Sequence, residues 1–306
     1  MKIAFIGNFT QIYHEEGKAR SLARLGHDVY RFAENTFNNE DVEEIISLNV
    51  DLLIYAKLNI SIDKKDFLQK MGQHGIKRVC WHPDLMFNTE KERWLVSNPT
   101  YTLSDYIFTS DGGHQKDFKK LGLNHYCIRQ AIYDKCCYRS EKELMSFKDV
   151  EIIFVGGSSH VLHSHRKEFL TILSDKFGNK FRHVGTFDEE WRNDALNDLF
   201  NSVSIVIGDS VYSPYYWSNR LYETIGRGAF IIHNKIEGIE DEYAKGLHFD
   251  TYENGNYDDL ISKIELHLQD TEELKKQGVA GMEYTRRNHT LMNRAQQVIS
   301  IIERRK

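Results

Sequence analysis

The 306-residue sequence is poor in proline and cysteine, with three of the first and four of the second. So little proline excludes a proline-rich linker protein, and 20 glycines without a short period exclude a collagen-like or low-complexity chain. Cys80, Cys127, Cys136 and Cys137 show no CxxC spacing, and sequence neighbours such as the last two rarely bond each other because the geometry is strained. They are expected to be thiols in a reducing compartment. No apolar run approaches the roughly 18 to 20 residues of a membrane span, and the opening Met1–Gly7 is too short and wrongly flanked for a signal peptide. A cytoplasmic protein with no membrane span is the expectation. With 45 acidic against 40 basic side chains the chain also lacks the excess of positive charge that marks a nucleic-acid module. What is present is 41% hydrophobic and 28% charged residues, in a length that suits two domains of about 150 residues each.

Short buried runs alternate with helical patterns along the chain. Lys2–Ile6, Asp28–Phe32, Asp51–Ala56, Arg78–Trp81, Tyr106–Thr109 and His125–Ile128 read as strands, with helical spacing over Gly17–Leu25 and around Val42–Leu48. Gly26 stands where a helix stop needs a left-handed residue. After the polar stretch Tyr138–Asp149 the alternation restarts: strands at Val150–Val155, Arg182–Val184, Ser204–Ile207, Phe230–His233 and His248–Tyr252, and helices at Arg166–Phe177, Trp191–Phe200 and Ser218–Gly226. From Tyr257 the tail is helical almost throughout. Alternation of this kind indicates parallel sheets with right-handed crossovers, and two Rossmann-like halves is the economical α/β reading. The expected domains are 1–148, 149–285 and a terminal helix, 286–306, returning to the first.

Ligands of such sheets bind at strand-to-helix turns, where helix amino-termini present unpaired N–H groups. The first turn, Gly7-Asn8-Phe9-Thr10-Gln11, lacks the GxGxxG fingerprint, which removes the best support for a dinucleotide oxidoreductase. The second, Gly156-Gly157-Ser158-Ser159 followed by Arg166, suits an anion: glycines let backbone approach it and an arginine fork holds it. The plainer reading is a tight turn with a solvated arginine. The third is Ser213–Ile232, in which Ser218 is a candidate N-cap and Arg220 and Glu223 share a helix face. A carboxylate there can accept two sugar hydroxyls. The plainer reading is a surface ion pair between residues three apart.

The runs SNRLYETIGRGAFIIHNKIEGIEDEY and IIFVGGSSHVLHSHR, with His289-Thr290 and Arg294, resemble the carboxyl-terminal domain of the CgeB-like (spore-maturation-protein-like) glycosyltransferases of the GT-B fold superfamily. The amino half resembles them more loosely, through KIAFIGN, Trp81-His82-Pro83-Asp84 and Tyr106–Asp111. The resemblance implies two Rossmann domains facing a cleft, an acceptor on the first and a nucleotide-diphosphate sugar, a UDP-sugar, on the second. It implies that Glu223 holds the donor ribose, that Arg166 and Arg220 lie near the diphosphate, and that Gly156, Gly157, Ser158, Trp217, Ser218 and Asn219 complete the donor site. Many retaining relatives place a second glutamate eight residues before the ribose glutamate; here that position is Tyr215.

Breaking the anomeric bond to phosphate builds negative charge on the leaving diphosphate, which arginines stabilise without a metal. An inverting route also needs a base on the acceptor side, and His14, Glu15, His82 and Asp84 all fall in post-strand loops, with Asp84 the first choice and His82 beside it. Both inverting and retaining routes stay open. His160, His163 and His165 fit no metal-ligand spacing, so no metal site is expected. Phe181, Trp191 and Trp217 could stack on a nucleobase, although aromatics at such spacing are usually core. The acceptor is a hydroxyl of a polysaccharide, protein or small molecule, or of a modified DNA base. The last would use the cluster Lys64, Lys65, Lys70, Lys77, Arg78, Lys116, Lys119 and Lys120, which is otherwise a solvated face. The rival readings are a nucleotide-sugar epimerase of the same fold and a non-catalytic glycan- or nucleotide-binding module.

Overall fold

In a computed structural model the chain divides into two units, Met1–Tyr133 with Leu291–Lys306, and Asp134–Thr290. The structure describes residues 1–9, 15–158, 163, 165–185 and 194–304. The first unit is built on β1 (Lys2–Gly7), β2 (Asp28–Ala33), β3 (Leu52–Tyr55), β4 (Lys77–Trp81), β5 (Tyr106–Thr109) and β6 (His125–Cys127). These pair in parallel in the order β2-β1-β3-β4-β5-β6. A parallel sheet is covered on both faces, so its strands are apolar at every position rather than every second one. In β1 the alternation of the pleat sends Ala4 and Ile6 to a core with Phe37, Ile45, Leu68 and Met71. Ile3 and Phe5 go to the other face, against Ala19 and Leu22 of the helix Glu15–Arg24 and against Ala295, Val298 and Ile302 of the terminal helix Leu291–Glu303.

The second unit carries β7 (Ile152–Val155), β8 (Phe181–Val184), β9 (Ile205–Gly208), β10 (Phe230–Asn234) and β11 (Asp250–Tyr252), all parallel, in the order β11-β10-β9-β7-β8. Phe154, Ile205, Ile207 and Ile232 pack under the helices Arg166–Phe177 and Tyr257–His267. Ile153, Val206 and Ala229 meet Phe147, Leu199 and Phe200 on the opposite face.

Each strand read from the sequence is present within a residue or two of its ends, and Gly26 takes a left-handed φ of 87°. Three expectations change. The break after residue 148 falls instead after Tyr133, because the following segment packs on the second unit: Asn197 Nδ2 donates to Cys136 O at 3.0 Å, Arg139 Nε to Asn201 Oδ1 at 2.9 Å, and Phe147 is buried in that unit's core. At the other end the first unit resumes at Leu291, whose N–H donates to Ile132 O at 2.9 Å. Ser218 is not an N-cap. The helix begins at Arg220, and the Ser218 hydroxyl and N–H are both engaged by Ser210 Oγ, at 3.0 and 2.8 Å. Of the helix expected over Trp191–Phe200 the structure describes Asp194–Asn201, and Trp191 lies outside the described residues.

The long helix Thr271–Asn288 seats its glycines against β10 and the helix Arg220–Gly226. A Cβ on Gly278 would lie 2.2 Å from Gly228 O and one on Gly281 would lie 2.6 Å from the Ile225 Cγ2 methyl. The first obstacle is backbone and cannot rotate away, so overpacking rather than helix propensity decides the outcome. Gly278→Ala is expected to destabilise the protein by about 1–3 kcal/mol although alanine favours a helix. Denaturant unfolding showing a more stable variant would contradict this packing.

Candidate active site

At the carboxyl edge of the second sheet the chain leaves β7 at Gly156, β9 at Asp209 and β10 at Lys235, the position where parallel sheets bind ligands. Asp209 is only 1% exposed and gathers three cationic or polar side chains. Arg166 Nε donates to its Oδ2 at 2.6 Å, His165 Nε2 lies 3.0 Å from its Oδ1, and His163 Nδ1 lies 3.3 Å from its Oδ2. Burial alone would raise the Asp209 pKa, but the bonds from His163 and His165 and the Arg166 charge hold the carboxyl well below its ordinary range. His165 is pushed up in return, chiefly by its bond to Asp209, whereas burial pushes His163 down. Arg166 NH2 also donates to His163 Nε2 at 3.1 Å, which places the ring proton on Nδ1, towards the carboxylate.

The Arg166 fork is thereby spent inside the protein. NH1 donates to Gly157 O at 3.2 Å and NH2 also to Asp209 O at 3.3 Å, so four of its five N–H groups hold the protein itself, at the Gly156-Gly157 turn and the end of β9. Arg220 is the outward cation. Its Nε donates to Val155 O at 2.8 Å and its NH1 to Asp209 O at 2.6 Å, with the guanidinium carbon 4.7 Å from the centre of the Phe154 ring. Its NH2 has no hydrogen-bond partner among the described residues and lies so close to Gly156 that a Cβ there would sit 2.4 Å away. That approach is why glycine occupies the position. Burial, and then repulsion from Arg166, push the Arg220 pKa down to about 10, which leaves it charged at neutral pH.

Arg220 and Glu223 do not pair with each other. Glu223 Oε1 accepts from Asn219 Nδ2 at 3.0 Å, and Oε2 meets Arg227 NH1, whose side chain is fully buried. These two partners fix the orientation of the carboxylate. Trp217 is core rather than a stacking surface: it is buried with Leu221 and Ile239, and its indole N–H donates to Tyr222 OH at 2.8 Å. Phe181 is likewise core. Tyr215 holds a left-handed φ of 56°, with its N–H on Glu237 O at 2.9 Å. Gly156, Gly157, Arg166, Ser218 and Arg220 thus converge on Asp209 and Ser210, with Asn219 and Glu223 beside them, while Ser158 is exposed at the rim. Asp209 is not among the residues expected from the sequence, although it is an acid standing directly after the apolar strand β9.

His163, His165 and Asp209 offer three ligand atoms within 4.8 Å of one another, the one such group of the kind among the described residues. The donor set does not suit a cation, because a guanidinium already bonds the same carboxylate oxygen and the second nitrogen of His163. The cluster is built around Arg166.

In the first unit, Trp81-His82-Pro83-Asp84 leaves the carboxyl end of β4. His82 is buried, with Nε2 3.0 Å from Asp84 Oδ2 and Nδ1 2.9 Å from Tyr101 OH. Lys91 Nζ donates to the same Asp84 oxygen at 2.7 Å. Burial opposes ionisation of Asp84, but His82 and Lys91 override it and hold the carboxyl far below its ordinary range. Both ring nitrogens of His82 are engaged, so Asp84, a third exposed, is the group that faces outward. The turn is braced by Asp111, which accepts the N–H groups of Met86 and Phe87 at 2.9 Å. His14 lies outside the described residues, while Glu15 opens the first helix. Of the basic cluster, Lys70, Arg78 and Lys120 meet Glu43, Asp105 and Asp117. No disulfide forms among the described residues, and burial pushes the Cys136 and Cys137 thiols up to about 11. No helix among the described residues is long and apolar enough to cross a membrane.

Two parallel α/β units of six and five strands define the GT-B class, and comparison with solved structures bears this out. The chain is similar to a glycosyltransferase from Rickettsia africae, at 13% identity and TM-score 0.65 over 98% of this chain and 97% of that one. It is similar to Anabaena HepE in complex with UDP and glucose, at 11% identity and TM-score 0.63 over 99% of both chains. A third is sucrose-phosphate synthase from Thermosynechococcus elongatus, at 13% identity and TM-score 0.64 over 99% of this chain and 98% of that one. At these identities the likeness is one of fold. No curated protein matches the chain in sequence. Residues 165–300, which span most of the second unit and run into the terminal helix, match the family described as glycosyl transferase-like.

Removing the Asp209 carboxylate would leave Arg166, 6% exposed, without its counter-charge. Asp209→Asn is therefore expected to destabilise the second unit by about 3–5 kcal/mol. A carboxyl held low stabilises the fold above its unfolded pKa of about 3.9 and stops doing so as pH falls through the folded value; a raised imidazole stabilises fully below about 6.5 and loses this as pH rises through the folded value. The gap between wild type and variant should be widest between about pH 4 and 6.5. Denaturant unfolding at a series of pH values showing no gap would contradict the assignment.

Proposed function

We propose that the second unit holds a UDP-sugar at the edge formed by Gly156, Asp209 and Arg220, and that its sugar is transferred to an acceptor hydroxyl held by the first unit. The observation that carries this reading is Arg220: a half-buried, charged guanidinium with one nitrogen uncommitted among the described residues, pressed against a glycine turn. Glu223, oriented by Asn219 and Arg227, is the acceptor for the ribose hydroxyls. HepE has been solved with UDP and with UDP-glucose, and that donor class is carried over here as part of the proposal. Within the superfamily we read the chain as CgeB-like, on the order of the motifs at 152–166, 218–243 and 289–294, and as cytoplasmic.

In the reaction the acceptor oxygen bonds the anomeric carbon while the bond from that carbon to the β-phosphate oxygen breaks. The electron pair leaves with the diphosphate, where Arg220 stabilises it, aided by the charge already fixed in place before reaction. The positive arginine supplies this term, so the reading requires no metal. On an inverting route the acceptor proton passes to Asp84. A carboxylate held so strongly ionised is a weak base, suited to accepting the hydroxyl's hydrogen bond early and its proton late, as positive charge builds on the sugar.

Three variants separate these roles. Glu223→Gln should weaken UDP binding by about 1.5–3 kcal/mol in calorimetry, the range for a hydrogen bond to a charged group. Arg220→Met should weaken UDP much more than uridine. Asp84→Asn should leave UDP binding intact and lower transfer by about 10²–10⁴-fold. Equal loss of uridine and UDP in Arg220→Met would make that arginine structural. UDP binding without transfer to any acceptor would favour a binding module, and isomerised sugar from donor alone would favour an epimerase.

A further inference from the structure

A cavity of about 330 Å3 opens in the first unit at the carboxyl ends of β1, β3 and β4, beside Asp84, near the lower end of the roughly 300–1,000 Å3 of ligand pockets. We propose that it binds the acceptor as an uncharged polyol, a sugar ring, with Lys18 donating to one hydroxyl and Asp84 accepting from its neighbour. The proposal rests on the glycosyltransferase reading and extends it by naming the acceptor class.

The first support is the chemistry of the lining. A hydroxyl both donates and accepts, so vicinal hydroxyls are matched by a wall that mixes acceptors with donors. The cavity does this, with the carboxylates Glu15, Glu34 and Asp84 set among Lys18, Lys57 and Asn59. A phosphate ester or a nucleic-acid backbone calls for donors alone, and three carboxylates against two ammonium groups oppose it.

The second is Lys18 itself. It stands on the helix Glu15–Arg24 and is 3% exposed, a costly place for an ammonium, where methionine would fill the same space without charge. Its Nζ donates to Trp81 O at 3.1 Å and lies 4.9 Å from the centre of the Trp81 ring. Trp81 O is its one hydrogen-bond partner among the described residues, and an ammonium carries three N–H bonds. Two donors therefore remain for the cavity that the side chain lines. Burial pushes its pKa down while Glu15 and Asp84 oppose the change. Lys18 and Asp84 thus both line the cavity, one as a donor and the other as an acceptor.

The test is ligand-observed saturation-transfer NMR on the full chain with D-glucose, D-galactose, D-mannose, glucose 6-phosphate and a short single-stranded DNA, each separately. Wild type should show a signal from at least one neutral hexose and none stronger from the two anions. Lys18→Met should reduce the hexose signal about tenfold, as expected for a hydrogen bond from a charged donor. If Lys18→Met fails to fold, Glu34→Gln, at the half-buried rim, should reduce it instead. UDP affinity by calorimetry should be unchanged in both variants. A preference for glucose 6-phosphate or DNA, a hexose signal indifferent to both substitutions, or no hexose signal would overturn the proposal. Failure of UDP to bind wild type would sink the donor reading while leaving the hexose result to decide the cavity.

Discussion

The buried ion pair between Asp209 and Arg166 is the constraint on which the rest of the second unit's site depends. Charges withdrawn from water are tolerated only when each finds its partner and its remaining hydrogen bonds are met. Here the partners come from the strand-end turns after β7 and β9: Arg166 reaches Asp209 and Gly157 O together, and Arg220 reaches Val155 O and Asp209 O. The same bonds that satisfy the pair therefore fix the two loops and aim Arg220. With one carboxylate against two guanidinium groups, the edge carries a surplus of positive charge that a diphosphate would neutralise.

The first unit uses the same logic with the opposite sign. His82 and Lys91 hold Asp84 ionised, and Tyr101 fixes the far side of the imidazole. The second unit thus presents a fixed cation and the first a fixed anion.

Fold was legible in the sequence because parallel strands buried on both faces are continuous apolar runs, as in Lys2–Gly7 and Ile205–Gly208. The domain break was harder to see: Tyr138–Asp149 is polar and reads as a linker, yet Arg139 and Phe147 bind it to the second unit through contacts with residues far along the chain. Among candidate site residues, Arg220, Glu223 and Asp84 are picked out by their place after strands and near helix starts. The burial of Trp217 and the internal use of Arg166 are not, because each is decided by a partner distant in sequence: Arg166 by Asp209, and Trp217 by the apolar set around Ile239. Asp209 itself stood in plain view at a strand end. Its importance rests on three side chains from around 163–166 that no local pattern connects to it.

On the proposed function Arg220 and Glu223 receive the two ends of a nucleoside diphosphate. The most direct measurement is a crystal structure of the full chain with UDP. The diphosphate should lie against the Arg220 guanidinium and the Gly156-Gly157 turn, with the ribose hydroxyls on Glu223 and the Arg166–Asp209 pair intact. UDP bound elsewhere, or diphosphate oxygens displacing Asp209 from Arg166, would contradict it.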